Sequence, residues 1–367
     1  MGEAMNPNQQ QLQVINHRDG PCLVAAVPGS GKTASLTERV RRMIESGIDP
    51  SSILSITFTN KAAKEMRERI ASKVGEDAAK KMTISTFHSM CARIIRQNAR
   101  LVGLTENFSI YDSDDQERLL KVCIEKVEGA DGRDFTPNDG YINSLYGYIE
   151  GRRNACLTHA EAVVKYELLP SQVKVVQEYF KALRLSNAID FTGLLSETIR
   201  LFEQNPDVLA RYQSAWRYIN VDEVQDTNIA QYKLIKMLAE KHRNVLCVGD
   251  LDQSVYAFRN AAPENILRFE KDFNALVLKL EKNYRSTPEI LRFSQNLIEH
   301  NKLRKQTKLE TDNLSGGMPR VTGKVFDYEM AEFIASDIAA RISKGSKPKD
   351  VAVLYRVNYA SKVLEEA

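Results

Sequence analysis

The stretch Ala26-Val27-Pro28-Gly29-Ser30-Gly31-Lys32-Thr33 decides how this chain is read. Ahead of it, Cys22-Leu23-Val24-Ala25 is short and apolar, which predicts a buried strand. Behind it, Leu36, Val40, Met43 and Ile44 recur at helical spacing and predict a helix from Ala34 to Glu45. Strand, Gly-rich loop, Gly-Lys-Thr and helix make the layout of a phosphate-binding P-loop. Gly29 and Gly31 let backbone N–H groups turn toward phosphate oxygens. Ser30 completes the loop, and the helix N-terminus adds its positive dipole end. In this layout Lys32 reaches the outer phosphates and the Thr33 hydroxyl sits on Mg²⁺. Ala26 holds the place where the pattern normally opens with Gly. Taken alone, the stretch implies a bound nucleotide phosphate and nothing more.

Outward from the loop, further apolar runs each end in polar residues. Ile53 to Phe58 predicts a second strand, followed by Thr59-Asn60-Lys61 and a helix from Ala62 to about Val74. Met82 to Thr86 predicts a third strand, leading into Phe87-His88-Ser89. Strand ends at the edge of an α/β sheet are where ligands bind. There Phe58 either presents its ring to a base or packs into the core, and His88 suits a polar contact. Tyr218 to Val221 predicts another strand, and it delivers Asp222-Glu223. An acid pair after a strand, downstream of a P-loop, suits Asp222 to hold Mg²⁺ and Glu223 to deprotonate an attacking water. Asn244 to Val248 delivers Gly249 to Arg259, in which Gln253 is placed to sense a γ-phosphate. Tyr256, Phe258 and Arg259 put stacking faces and positive charge side by side, a combination suited to single-stranded nucleic acid. Val277 to Leu280 leads into Asn283-Tyr284-Arg285, where Tyr284 could stack on adenine and Arg285 could offset charge on a γ-phosphate.

Residues 112–195 change character. Asp112 caps a new helix, several helical stretches follow without a clear strand, and residues 128–140 read as a loop. They are expected to form a helical insertion in the α/β domain. At the start of the chain, Asn6 is expected to cap a helix with Pro7 at its first position. Gln9 in that segment has an amide suited to the edge of adenine, although the helix-start reading accounts for the cluster. After the turn at Gly316-Gly317-Met318-Pro319, a helix over 329–344 and a strand over 351–355 begin a second α/β segment. One strand–helix alternation cannot bury its own core, so the chain is expected to be a truncated or unfinished form.

Composition sets the frame. The chain has 367 residues, 43% hydrophobic and 27% charged, with a net charge of only +3. Any nucleic-acid site is therefore a local groove and not a general basic coat. The five cysteines, Cys22, Cys91, Cys123, Cys156 and Cys247, are scattered and form no C-x-x-C pair. That pattern suits reduced thiols in the cytoplasm, not disulfides or zinc. No apolar stretch is long enough to cross a membrane.

These pieces, in this order, resemble the superfamily 1 DNA helicases of the UvrD/Rep/PcrA family over essentially the whole chain. The stretches that carry the resemblance are 26–33, Thr57 to Ala63, Ser85 to Ser89, Val221 to Asp226, Gly249 to Arg259, Asn283 to Thr287 and Leu354-Tyr355-Arg356. The resemblance implies a P-loop RecA-like parallel-sheet domain with a helical insertion, plus the start of a second RecA-like domain. The expected divisions are 1–111 and 196–283 for the first domain, 112–195 for the insertion and 284–367 for the second domain. It implies ATP and Mg²⁺ as cofactors. Gln9 would read adenine and Tyr284 stack on it, with Gly29 to Thr33 at the phosphates and Thr33 and Asp222 at the metal. Lys32, Glu223, Gln253 and Arg285 would be catalytic. Phe58, Asn60, His88, Tyr256, Phe258, Arg259 and Arg356 would contact DNA.

The implied function is ATP-driven 3′-to-5′ movement along single-stranded DNA. Single strands and duplex–single-strand junctions would be the partners, with roles in DNA repair or replication and no membrane. The implied cycle closes a cleft between the two domains on ATP and opens it on hydrolysis. Val224 stands where the family usually has Phe or Tyr, Phe258 where Trp is common and Ala34 where Arg is common. Asp190-Phe191-Thr192-Gly193 lacks a second acidic pair. The chain stops before the family's further helical subdomain and second ATP-contacting arginine, so it is expected to bind ATP–Mg²⁺ weakly and not to unwind duplex alone. Two other readings remain: an ATPase subunit of a helicase–nuclease, and a DNA-binding module without turnover.

Overall fold

The structure, a computed structural model, describes residues 6–129, 137–254, 261–301 and 308–367. It divides into two compact units, Met1–Leu314 and Ser315–Ala367.

The first unit is built on a parallel sheet. Its strands are β1 (Cys22–Ala26), β2 (Ile53–Thr57), β3 (Thr83–Thr86), β6 (Tyr218–Val221), β7 (Val245–Gly249) and β8 (Leu276–Leu280). β4 (Ser109–Tyr111) and β5 (Ala188–Asp190) pair separately. The six strands lie in the order β3-β2-β6-β7-β1-β8, and every neighbouring pair is parallel. β1, β2, β6 and β7 are buried along their whole length, as a sheet covered on both faces requires.

Successive side chains of a strand point to opposite faces, and the two cores divide accordingly. Leu23, Leu54, Ile56, Ile219, Val221, Val245 and Cys247 face one helical layer, which includes Phe87–Gln97, Phe191–Gln204 and Ile229–Ala239. Cys22, Val24, Ile53, Tyr218, Leu246 and Val248 face the helices Lys32–Glu45 and Asn60–Val74.

The insertion is helical, with Ser113–Glu128, Asp139–Asn154, His159–Lys165 and Pro170–Leu185 around its own core of Leu120, Ile124, Leu145, Ile149, Val175 and Tyr179. Most of the expected 128–140 loop lies outside the described residues. The segment does end in one strand that its pattern conceals: β5 is three residues long, too short to show an alternation, and it exists by pairing with β4. Asp190, fully buried at the end of β5, caps the next helix by accepting from the Gly193 N–H at 2.7 Å. It also accepts from the Tyr179 hydroxyl at 2.9 Å and pairs with Arg153. One buried acid thus closes the insertion.

Two local expectations change. The first helix is Gln9–Asn16 and its cap is Asn8, not Asn6. Asn8 Oδ1 accepts the Gln11 N–H at 2.8 Å, while Gln11 Oε1 accepts the Asn8 N–H at 3.0 Å. The partner amide three residues on makes this reciprocal cap possible and leaves Pro7 ahead of the helix. In the second unit the helix Asp327–Ser343 forms, but residues 351–355 make no ladder, and Leu354 is 94% exposed. A strand needs a neighbour for its backbone groups, and no strand is described elsewhere in this unit.

Candidate nucleotide-binding site

In a parallel sheet every strand delivers its C-terminal residue to the same edge. Ala26 ends β1 and pairs with Leu280. It is an ordinary strand residue, so the first position of the loop pattern needs no glycine here. Gly29 and Gly31 have φ of +66° and +81°, backbone that favours glycine. Space also excludes a side chain at Gly29: a Cβ there would lie 2.7 Å from Asn283 Nδ2 and 2.8 Å from Arg285 Cβ. Gly31 caps the helix Lys32–Glu45 without any side-chain hydrogen bond. The first amides of that helix are therefore available to an anion. Ser30 turns its hydroxyl back to the Val27 carbonyl at 2.7 Å, so only its backbone can serve a ligand.

β6 sits next but one to β1, with β7 between them. Across this gap Lys32 Nζ donates to Glu223 Oε2 at 3.1 Å and to Gln253 Oε1 at 3.4 Å. The Thr33 hydroxyl lies 3.5 Å from Asp222 Oδ2. Residues distant in sequence thus form one polar cluster: Lys32, Thr33, Asp222, Glu223 and Gln253. Asp222 is pushed up to about 6, first by burial and then by the Glu223 charge. Asp226 is likewise pushed up to about 6 by burial and by Glu223, and its Oδ1 is buried without a hydrogen-bond partner. Crowded carboxylates with a hydroxyl beside them fit a hard divalent cation, which takes oxygen ligands and shares its shell with phosphates. Among the described residues no group of three or more His, Cys, Asp or Glu side chains could hold a metal ion. A cation here would be bound by Thr33 and Asp222 together with a nucleotide.

β8 brings Asn283-Tyr284-Arg285 against the loop. The Tyr284 N–H donates to the Gly29 carbonyl at 2.9 Å. Tyr284 and Arg285 are exposed. Asn8 Nδ2 donates to the Tyr284 hydroxyl at 2.8 Å, and Gln9, the next residue, is exposed. Phe58 and His88 follow β2 and β3, at the same sheet edge but in its other half. His88 meets Phe191 edge-on at 5.9 Å between ring centroids, and burial lowers its pKa. Asn60 is exposed at the start of the helix that follows β2. Tyr256, Phe258 and Arg259 lie outside the described residues. Arg356 belongs to the second unit and is exposed. Val224 is fully buried in the core, so its departure from Phe or Tyr alters packing and not the polar cluster.

Several site residues carry no signal of their own in the sequence. Asn283, 1% exposed, donates to the Pro28 carbonyl at 2.6 Å and accepts from the Arg285 and Ser286 N–H groups at 2.8 and 2.7 Å. It fastens the P-loop to the turn after β8. Gln11 Nε2 donates to the Ser30 carbonyl at 3.0 Å. Gln10 exchanges two bonds with Glu281, at 3.1 and 2.9 Å. Arg39, 1% exposed, donates to the His17 and Arg18 carbonyls and to Asn220 Oδ1 on β6. Gln10, Gln11 and Asn283 sit among other polar residues, and Arg39 sits in a helix with other charged residues, so nothing local marks them.

A parallel sheet with a P-loop at one strand end and an acid pair at another defines a P-loop α/β nucleotide-binding protein, here with a helical insertion. The pattern of the UvrD/REP helicase N-terminal domain matches residues 7–274, and that of the UvrD-like helicase C-terminal domain matches residues 278–367. The chain belongs to the UvrD/Rep helicase family. It is 42% identical over 363 residues to the ATP-dependent DNA helicase PcrA of Staphylococcus aureus, covering 98% of this chain and 49% of that protein. It is 41% identical over 365 residues to the protein of the same name from Staphylococcus epidermidis, with the same coverage. The chain spans about half the length of the curated relatives it matches. No helix among the described residues is long and apolar enough to cross a membrane.

Proposed function

We propose that this chain carries the ATP-hydrolysing machinery of a cytoplasmic DNA helicase that moves 3′ to 5′ along single-stranded DNA, from junctions with duplex. The observation that supports it best is the polar cluster at the sheet edge, where the P-loop lysine meets the acid after β6 at 3.1 Å. A protein that only held DNA would have no use for that pairing. We read residues 1–111 and 196–283 as the first RecA-like domain, 112–195 as its insertion and 284–367 as the start of the second.

In this reading the loop amides of Gly29 to Thr33 and the Lys32 ammonium bind the phosphates. Gln9 and Tyr284 hold the adenine. Thr33 and Asp222 hold Mg²⁺, which supplies positive charge to the phosphate oxygens. Glu223 orients the attacking water and takes its proton. Gln253 and Arg285 meet the outer phosphate, and Arg285 offsets the charge that develops there. Removing such an arginine costs about a thousandfold or more in rate where it acts. Phe58, Asn60, His88, Tyr256, Phe258, Arg259 and Arg356 contact the strand, by ring stacking and phosphate pairing.

The test is ATP hydrolysis by the chain with and without single-stranded DNA, beside Glu223→Gln. Hydrolysis stimulated by DNA in the parent, and lost in Glu223→Gln with nucleotide binding retained, is the expected outcome. Hydrolysis indifferent to DNA would remove the motor, and an active Glu223→Gln would remove Glu223 as base. Polarity is read from which blocked strand end a moving chain clears.

A further inference from the structure

Gln225 lies two residues beyond Glu223 and is 1% exposed. Its side chain reaches two places at once. Its Nε2 donates to Glu223 Oε2 at 2.8 Å. Its Oε1 accepts the Asp250 N–H at 3.1 Å, in the loop after β7. Asp250 Oδ2 in turn accepts from Gln253 Nε2 at 2.7 Å. One amide thus joins the acid after β6 to the backbone that carries Gln253. The neighbouring Gly249 is shaped around it: a Cβ there would lie 2.6 Å from Gln225 Oε1.

We propose that Gln225 is a positioning residue that aims the Glu223 carboxylate and ties its orientation to the loop after β7, so that hydrolysis responds to the state of that loop. The inference rests on the reading of Glu223 as general base. Glu223 Oε2 accepts from both Lys32 and Gln225. A bound phosphate competes for Lys32, and the Gln225 amide then remains to fix the carboxylate. The role demands a side chain that donates at one end and accepts at the other, which an amide does and a carboxylate does not. Glutamate at this place would also set another negative charge beside Glu223 and Asp226. Asparagine is shorter by one methylene, about 1.5 Å, too short to hold both partners. Methionine keeps the length and bulk of glutamine and makes neither bond.

The experiment compares the parent chain, Gln225→Met and Glu223→Gln. In Gln225→Met, kcat for ATP is expected to fall roughly ten- to a hundredfold while KM stays within about threefold. Stimulation by single-stranded DNA should disappear. Hydrogen exchange gives a readout that needs no turnover: a slowly hydrolysed ATP analogue should protect residues 249–254 in the parent and not in Gln225→Met. A Gln225→Met chain with the parent's kcat, DNA stimulation and protection overturns the bridge, while an inactive Glu223→Gln beside it leaves the base assignment standing. An active Glu223→Gln removes the base assignment instead. If the parent turns over no ATP, the exchange result decides alone, and equal protection in both chains overturns the bridge. Gly249→Ala presses on the same amide from the other side. It is expected to lower kcat as well, so the test survives a Gln225→Met chain that does not fold.

Discussion

Replacing Asp222 by Asn removes a negative charge from a nearly buried position beside Glu223, where the fold makes ionisation costly. The Asp222 carboxyl is pushed up to about 6 from an ordinary 3.8, by burial first and by Glu223 second, against the opposing pull of Lys32. At about 1.4 kcal/mol per unit, holding it ionised costs the fold roughly 2–3 kcal/mol at neutral pH. The folded value lies above the unfolded one, so the penalty is fully present above about pH 6 and shrinks as pH falls. Below about pH 4 both states are protonated and it vanishes. Asparagine keeps an oxygen for the Glu223 N–H, which Asp222 Oδ1 now accepts at 3.1 Å. In urea unfolding with EDTA, Asp222→Asn is therefore expected to be more stable than the parent at about pH 7.5, by up to about 2 kcal/mol. The gap should narrow toward pH 5. With Mg²⁺ and an ATP analogue the order should reverse, because ligand bound more tightly by the parent stabilises it more. An Asp222→Asn chain less stable than the parent in EDTA at the higher pH, or a gap independent of pH, would show that the Asp222 charge is not a cost to the fold.

Asn283→Ala deletes three hydrogen bonds at a buried position and should cost about 2 kcal/mol in urea unfolding. It should also weaken nucleotide binding by equilibrium titration, and undiminished affinity would show that the loop is held without it. Glu38, 11% exposed, meets Arg41 at 2.6 Å and Lys73 at 2.7 Å. Burial opposes its charge, but these partners overcome that and hold its carboxyl at about 2. A depressed carboxylate stabilises the fold above its unfolded pKa and loses that contribution as pH falls through the folded one. Glu38→Gln should therefore lower stability at neutral pH and flatten the acid limb between about pH 4.5 and 2. Parallel stability–pH curves for the two chains would contradict this.

Much of the site is legible in the sequence because strand–loop–helix units concentrate chemistry at strand ends. The runs over 22–25, 53–58, 218–221 and 244–248 read as strands, and strands form there within a residue at each end, at 22–26, 53–57, 218–221 and 245–249. Lys32, Thr33, Asp222, Glu223 and Gln253 stand out singly, each a polar residue shortly past the end of such a run, and the fold assembles them. The cap at Asn8 and the short β5 are not legible. One depends on which of two neighbouring asparagines finds a reciprocal glutamine, and the other on a partner strand far away in sequence. The expected strand at 351–355 shows the converse: an apolar run forms no ladder when no neighbouring strand is described to pair with it.

Which residues are chemically equipped for phosphate, for a cation and for proton transfer follows from the amino-acid order, because those properties belong to side-chain type and local backbone. Tertiary structure alone decided which of them meet. Lys32 reaches Glu223 only because the sheet orders β6 and β1 around β7. Asn283 and Gln225 acquire their work only because β8 and the loop after β7 are packed against the P-loop and the acid pair. A buried amide has no local signature: its partners are mostly backbone groups, which every residue carries, and only the fold says which groups come within hydrogen-bond reach.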